Sequence, residues 1–439
     1  MKTKKMSVWL SENSDAISKE IAAVSQVSAL TAAQNILCEA DGSVRRITLS
    51  NLIEAIKTDQ LDLSLVAWGV YLKETADPQW GVCGNQTKWN EFKASFGRYL
   101  LTNEGKMAKL SRNDSSVFED GTAVDETKGH VMFHTPKRLY FLVKYDATAG
   151  CNILWGSEYP ISEHYIDHPT FGAYMASLVD DKLTSRSGLS VANNYTISTF
   201  HTYAKNNGKA FGLLDYETMK LIPMMTLWES GNANSQAKFG CGPTGSTSTW
   251  DEVSGLTTGA TKSLGDNTGT VSLASVTGNA DACHVNLFGI ENPWGWYWQM
   301  IQGIYFGNSG NSGQDGTEAF VYKGNRIPAD SELTSHPVGD YRTFTRCTSS
   351  GGVQHLVLGE NFDTIPKSVG SEASGSYYCD YYWANSTEYL LMFGGGAWRA
   401  LKCGAFSVDS YHAFGLRDAG CGARLAFYGS PTYVNGADL

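Results

Sequence analysis

The sequence predicts an α+β protein with a short helical region at the N-terminus, a β-rich module after it and a long mixed C-terminal region. Three observations carry that expectation. Apolar residues recur near helical spacing between residues 17 and 37. Short apolar runs broken by Gly, Asp and Asn dominate from about residue 59 to 165. Beyond them a helix-like stretch at residues 221–229 lies among many glycines, and the 46 Gly of the chain argue against a helix-only architecture.

In the first region Ile17, Ile21, Val24, Val27, Leu30 and Ile36 would share one helix face, and a second helix-like piece covers residues 50–56. Between them Ala40-Asp41-Gly42-Ser43 reads as a turn. A helix with a single apolar stripe has to bury it against something, so self-association, as a homotrimer, is expected. The second region gives strands at residues 65–72, 131–133 and 138–145. In the third, the helix at 221–229 leads into a loop at 232–236, and residues 288–295 lead into the apolar run 296–303. Residues 241–278, rich in Gly, Ser and Thr, read as a mobile insertion.

At 439 residues the chain exceeds the usual domain size of roughly 100 to 200 residues. Three regions are therefore expected, at 1–58, 59–165 and 166–439. Hydrophobic residues at 42 % against 18 % charged describe a folded chain rather than a disordered one. A net charge of −10 without a basic stripe argues against a nucleic-acid partner. No apolar stretch reaches the roughly 18 residues of a membrane span, and Ser7-Val8-Trp9-Leu10-Ser11-Glu12 after the basic start is too polar for a signal peptide. The chain thus reads as a soluble protein made in the cytoplasm, without membrane insertion. Nine scattered cysteines, with no CxxC pair, read as buried reduced thiols.

Several groups have the residue types of a reactive site. His164 and His168, beside Glu163, have a metal-ligand spacing, but Pro160 and Pro169 flank them and no HExxH is present. His130 and His134 share a strand face without a third ligand. The loop at residues 308–318 offers oxygen ligands without the EF-hand spacing. The expectation is therefore no metal and no cofactor. Cys403 and Cys421 lack an activating cluster beyond the isolated cations Lys402 and Arg424. Glu291, Asp380 and Asp409 cannot be paired into an acid and base from sequence. No enzymatic activity is expected.

The most informative stretch is residues 394–427, GGGAWRALKCGAFSVDSYHAFGLRDAGCGARLAF, where small residues frame a run of chemically unrelated side chains. Gly394 to Gly396, Gly404 to Ala405 and Gly422 to Ala423 permit close backbone approach, and Trp398, Phe406, Leu425 and Phe427 are suited to anchor the core. The ends of this segment resemble the closing segment of C-type-lectin-like folds of the formylglycine-generating-enzyme type. More narrowly, it resembles the variable region of diversity-generating retroelement target proteins. That resemblance implies adenine-directed mutagenesis, which turns template Asn codons into codons for most residues except Trp, Lys, Gln, Glu and Met. None of those five occurs from Ser407 to Ala423. Residues 37–56 and 97–116 are similar to attachment and structural pieces of phage tail proteins, and residues 221–236 and 288–303 occur in the same order in their lectin-like domains.

The resemblance implies a tail receptor-binding protein of a phage or prophage, located in the virion and binding a host surface protein or glycan alongside other tail components. By that analogy the ligand surface comprises Arg399, Ala400, Ser407, Asp409, Tyr411, His412, Leu416, Arg417, Asp418 and Gly420, joined by Tyr377, Tyr378, Asp380 and Tyr382 from the aromatic run upstream. Two alternatives stand beside it. One is a bacterial lectin-like protein with a fixed ligand, and the other is a formylglycine-generating-type enzyme.

Overall fold

The computed structural model describes residues 35–40, 43–48, 62–246, 249–273, 276–306, 317–323, 341–371, 376–386 and 390–439. Over these residues the chain is mostly β-sheet, with 38 % strand and 16 % helix, which corrects the α+β expectation. The longest described helix, Leu221–Ser230, has ten residues. No described helix is long and apolar enough to cross a membrane.

The N-terminal helical region is corrected where it is described. Asn35–Ala40 and Ser43–Thr48 form an antiparallel hairpin in which Ala40 pairs with Ser43 and Ile36 with Ile47. The expected helix therefore does not extend to Leu37. The physical signal is Asp41-Gly42, the dipeptide best suited to a two-residue hairpin connection, set between segments containing Ile36, Val44 and Ile47. The remainder of the expected helices, at 17–34 and 50–56, lies outside the described residues.

Three larger sheets build most of the rest, beside a two-stranded and a three-stranded one. A five-stranded sheet runs in the order Tyr165–Ile166, Leu139–Asp146, Cys151–Ser157, Trp68–Leu72, Val82–Gly84. The expected strand at 65–72 begins instead as a helical turn, Leu63–Val66, because the Asp62 carboxylate caps the Ser64 N–H at 3.0 Å. A seven-stranded sheet places Phe211–Leu213 and Leu425–Phe427 beside Thr170–Gly172, His130–His134, Gly97–Leu101, Lys106–Lys109 and Thr432–Tyr433. The largest sheet has nine strands. Its path is Tyr341–Thr345, Glu318–Tyr322, Trp298–Phe306, Leu390–Phe393, Val408–Ser410, Tyr381–Ala384, Gly351–Leu358 and Asp363–Gly370, with Cys421–Gly422 parallel to the start of Trp298–Phe306.

Aromatic packing joins these layers. Trp68 meets Trp89, Phe92 and Trp228 with ring centroids 5.1 to 5.8 Å apart, and Trp89 and Phe96 reach Phe288. Helix Leu221–Ser230 is apolar around most of its circumference because it runs through this core, with eight of its residues buried. The 241–278 segment, read as an insertion, also contributes to packing where it is described. Trp250 meets Trp398 edge to face at 5.5 Å, and the Trp296 indole N–H donates to the Val253 carbonyl at 3.1 Å.

Two buried arginines tie the strands. Arg424 donates from Nε to Gln299 Oε1 at 2.7 Å and from its terminal nitrogens to the carbonyls of Gly172, Ala173, Glu291 and Asn292. Arg98 donates to the Gly289 carbonyl, Ser115, Thr261 and Asn286. Arginine suits this task because its fork of five donors can satisfy several carbonyls that a sheet leaves over, without losing its charge.

Candidate ligand-binding surface

The outer face of strand Tyr381–Ala384 organises the surface. Residues alternate along a strand, and here Tyr382 and Ala384 are buried while Tyr381 and Trp383 are half-exposed. Trp383 stands opposite Asp409 across a parallel pairing, and Asp409 stands opposite Met392 on the next strand. The Tyr381 and Trp383 rings lie 4.6 Å apart, and Trp298 supports Trp383 edge to face at 5.3 Å.

Arg399 reaches over this face from a tight turn. Its N–H bonds the Gly396 carbonyl, and its own carbonyl accepts from Lys402 N–H. The short helical turn Ala400–Lys402 is pinned from elsewhere in the chain: Gln236 donates to the Ala400 carbonyl at 3.0 Å, and the Ala400 N–H donates to Thr244 Oγ1 at 2.9 Å. The Arg399 guanidinium lies 4.6 Å from the Trp383 ring centroid and 5.8 Å from that of Trp398. Its Nε is buried without a hydrogen-bond acceptor, and the guanidinium makes no ion pair among the described residues. The Lys402 ammonium sits 4.5 Å from the Tyr381 ring centroid.

Asp409 lies beneath, 2 % exposed. One carboxylate oxygen accepts from the Tyr411 N–H at 2.8 Å, and the other is 3.9 Å from His412 Nε2. Burial pushes its carboxyl up to about 6, while the Tyr411 N–H and the charges of His412 and Arg399 pull the other way. Residues 411–419 then cross the surface as a mostly exposed loop before Gly420. The loop is fastened at both ends: the Leu390 N–H bonds the His412 carbonyl, the Asn194 N–H bonds the Asp418 carbonyl, and Trp298 N–H bonds the Gly420 carbonyl.

The candidate residues divide between this face and the interior. Arg399, Asp409, Tyr411 and His412 are brought together as described. Tyr411, Arg417 and Asp418 are exposed, and Ala400, His412 and Leu416 are half-buried. Gly420 is buried against Trp398, where a Cβ would stand 2.1 Å from the indole edge. Tyr377 is half-buried and packs on His355 at 5.2 Å. Tyr378 is buried between Trp80 and Phe406, and its hydroxyl donates to Glu74 at 2.9 Å. Asp380 is buried and accepts from the Phe406 N–H at 2.7 Å. The Tyr382 hydroxyl accepts from Arg346 at 2.8 Å and lies 2.9 Å from Ser410 Oγ. Ser407 is buried and donates to the Tyr381 carbonyl at 3.4 Å.

Sequence reasoning missed Tyr381, Trp383, Leu401 and Lys402, and it placed Trp398 in the core although the ring is half-exposed. Period-two alternation through Tyr381-Tyr382-Trp383-Ala384 is the signal that separates the outward pair from the inward one.

The groups with reactive residue types are engaged otherwise. The two ring nitrogens of His130 meet Thr184 and Asn103, those of His134 meet Thr170 and the Tyr433 hydroxyl, and burial lowers both imidazoles to about 3. Glu163 and His164 share a cluster with Glu360 in which the donor atoms lie within 4.8 Å of one another, a third member not visible from local spacing. His168 instead contacts Asp167 at 2.8 Å. Burial raises the thiols of Cys403 and Cys421, the former to about 12. Glu291 is occupied by the N–H groups of Gly259 and Thr261 and by the Thr261 hydroxyl. The loop at 308–316 lies outside the described residues.

Set against models of known protein families and against curated proteins, the chain shows no match to either.

Proposed function

We propose that the chain is a receptor-binding protein of a phage or prophage tail, which presents the Arg399 turn and the 411–419 loop to a molecule on the host bacterium. The observation that carries the reading is the division of residues 394–427 into a buried frame and an exposed crossing loop. Arg424, Gly404 and Gly420 are fixed by their surroundings; at Gly404, for example, φ is +153° and a Cβ would stand 2.2 Å from the Asp380 carboxylate. Within 411–419, Tyr411, Ala413, Gly415, Arg417 and Ala419 are exposed, whereas Phe414 and Leu416 pack against the core and the Asp418 carboxylate accepts from the Gly420 N–H at 2.7 Å. A frame that tolerates substitution only in its loop is what a diversified binding site requires.

In this reading the contact set narrows to Tyr377, Arg399, Ala400, Tyr411, His412, Leu416, Arg417 and Asp418. The buried candidates hold the sheet. The protein performs no chemistry, acts in the virion after synthesis in the bacterial cytoplasm, and gains avidity by trimerisation, because linked copies rebind at high effective concentration.

The test uses fluorescently labelled full-length chain and intact cells of candidate host strains. A combined Tyr411→Ala, Leu416→Ala and Arg417→Ala variant should lose at least about tenfold in cell binding while keeping its circular-dichroism spectrum and melting curve. A Thr148→Ser control in a distant turn should bind as wild type. Unchanged binding by the triple variant, to a strain the wild type binds, refutes the proposal.

A further inference from the structure

Two thiols meet at the ends of the 241–283 loop. Cys241 follows helix Ser235–Phe239, and Cys283 opens strand Cys283–Leu287, which brings the chain back beside it. Cys241 Sγ lies 3.5 Å from the Gly242 carbonyl oxygen, and that same oxygen accepts from the Cys283 N–H at 3.2 Å. A Cβ on Gly240 would stand 2.8 Å from Cys283 Sγ, so the backbone just before Cys241 passes directly against that sulfur. The two thiols hydrogen-bond to each other. Other described thiols find partners of different kinds, as Cys347 does in the Ser349 carbonyl and Cys403 in the Gly396 carbonyl. Neighbouring backbones joined by a main-chain hydrogen bond suit the short reach of a disulfide.

The loop between the two cysteines holds the Arg399 turn. Asn279 donates from Nδ2 to Cys241 Sγ at 3.2 Å and to the Thr244 carbonyl at 2.7 Å. Thr244 Oγ1 accepts from the Ala400 N–H at 2.9 Å and donates to the Ala397 carbonyl at 3.0 Å, which also accepts from the Gly245 N–H at 2.7 Å. The turn is thus fastened to a loop whose ends are joined by non-covalent contacts alone while the thiols are reduced. A covalent bond across a loop of this length removes much conformational freedom from the unfolded chain.

We infer that Cys241 and Cys283 form a reversible disulfide on exposure to a peroxide oxidant, and that this bond locks the loop that carries the Arg399 turn. The hydrogen bond from Cys241, aided by the backbone at Gly242 and Cys241, holds the Cys283 thiol below the ordinary range against the effect of burial, so Cys283 supplies the first thiolate. That thiolate attacks hydrogen peroxide: an S–O bond forms, the O–O bond breaks, and the departing hydroxide takes up the proton that Cys283 released. The Cys241 sulfur then attacks the sulfenic sulfur, forming the S–S bond as the S–O bond breaks, and the oxygen leaves with the Cys241 proton as a second water. Two electrons pass from the thiol pair to the peroxide. With each residue 7 % exposed, a molecule of this size reaches the sulfurs more readily than a bulky disulfide does. The bond itself does not depend on the receptor-binding reading. In that reading a chain made in the reducing cytoplasm acquires it after release from the cell.

The experiment treats the folded full-length chain, first reduced with dithiothreitol and freed of it, with hydrogen peroxide, and maps its peptides by mass spectrometry without reduction. A peptide pair joining Cys241 to Cys283, two hydrogens lighter than the sum of its parts and separated again by dithiothreitol, is expected. The Ala400 amide should exchange with deuterium at least about threefold more slowly in the oxidised chain, and the melting temperature should rise by at least about 3 °C. Cys283→Ala should remove both changes; the peptide map of the wild-type chain needs no variant and stands even where that one fails to fold. Absence of the 241–283 link in the folded chain, while other thiols oxidise, overturns the pairing. A link that leaves Ala400 exchange and melting unchanged overturns the lock. Neither outcome bears on cell binding by the loop triple variant, which tests the receptor-binding reading separately.

Discussion

The Arg399 guanidinium lies 4.6 Å from the centre of the Trp383 ring, although Trp383 sits in strand Tyr381–Ala384 and Arg399 in the turn that follows Leu390–Phe393. The contact is possible because Tyr381–Ala384 and Val408–Ser410 run parallel and adjacent, leaving the 396–402 turn to fold back over their outer face. It holds the charge of a half-buried arginine over the outer face of the strand. Contacts of this kind stabilise by about 0.5 to 1 kcal/mol each at exposed sites. The buried Nε works against that gain. Arg399→Ala should therefore change unfolding free energy by less than about 1 kcal/mol in chemical denaturation. A loss of several kcal/mol would show that the residue belongs to the frame rather than to the display surface.

Arg424 contrasts with it. Replacing it by Met removes the donors to Gln299 and to four main-chain carbonyls while leaving those acceptors buried. Each stranded group costs on the order of 1 to 3 kcal/mol, so a total loss above about 3 kcal/mol is expected even after partial relaxation. Urea titration of the variant checks it, and a loss under 1 kcal/mol would contradict the keystone role.

The tyrosines sort the same way. Tyr382→Phe removes one partner each from Arg346 and Ser410, which still bond each other at 2.9 Å, and should cost about 1 to 2 kcal/mol. Tyr411, 48 % exposed, should tolerate the same change within about 0.5 kcal/mol. Equal effects at the two positions, measured by thermal unfolding, would contradict the burial assignment.

Asp409 gives a pH dependence. Its folded-state carboxyl is raised to about 6 from an ordinary 3.8. Below about pH 4 both folded and unfolded chains hold the proton and the group contributes no penalty. As pH rises to 6 the unfolded chain releases its proton first, so stability falls across that window by on the order of 3 kcal/mol and stays reduced above it. Asp409→Asn keeps an acceptor for the Tyr411 N–H and removes the titration. The variant should match wild type near pH 4 and exceed it in stability at pH 7. A difference between the two proteins that does not vary with pH would exclude this origin.

Much of the strand content was legible, because its pattern is local. Residues 131–133 fall within His130–His134, 138–145 differs from Leu139–Asp146 by one residue at each end, and the apolar run at 221–229 falls within helix Leu221–Ser230. What failed was balance and parity. The helical spacing before residue 37 outweighed Asp41-Gly42, although a two-residue turn between Ile36 and Val44 specifies a hairpin regardless of spacing further upstream. In the aromatic run, composition suggests exposed tyrosines throughout, yet Tyr378 and Tyr382 are buried, and only the alternation of the strand decides that Tyr381 and Trp383 face outward and Tyr382 inward. The sandwiching of Arg399 depends on Gln236 and Thr244, more than 150 residues away in the chain, and no local pattern encodes that.

The most direct measurement is to sequence the 3′ end of this gene and its flanks in many sibling genomes. The account predicts substitutions concentrated among the exposed residues between Tyr377 and Cys421, above all at 411–419, with Trp398, Gly404 and Arg424 fixed. It also predicts a nearby near-identical repeat differing at adenines and a reverse-transcriptase gene. Uniform sequence through 411–419 with no such repeat would contradict the diversified-surface account and leave a binding face of fixed specificity.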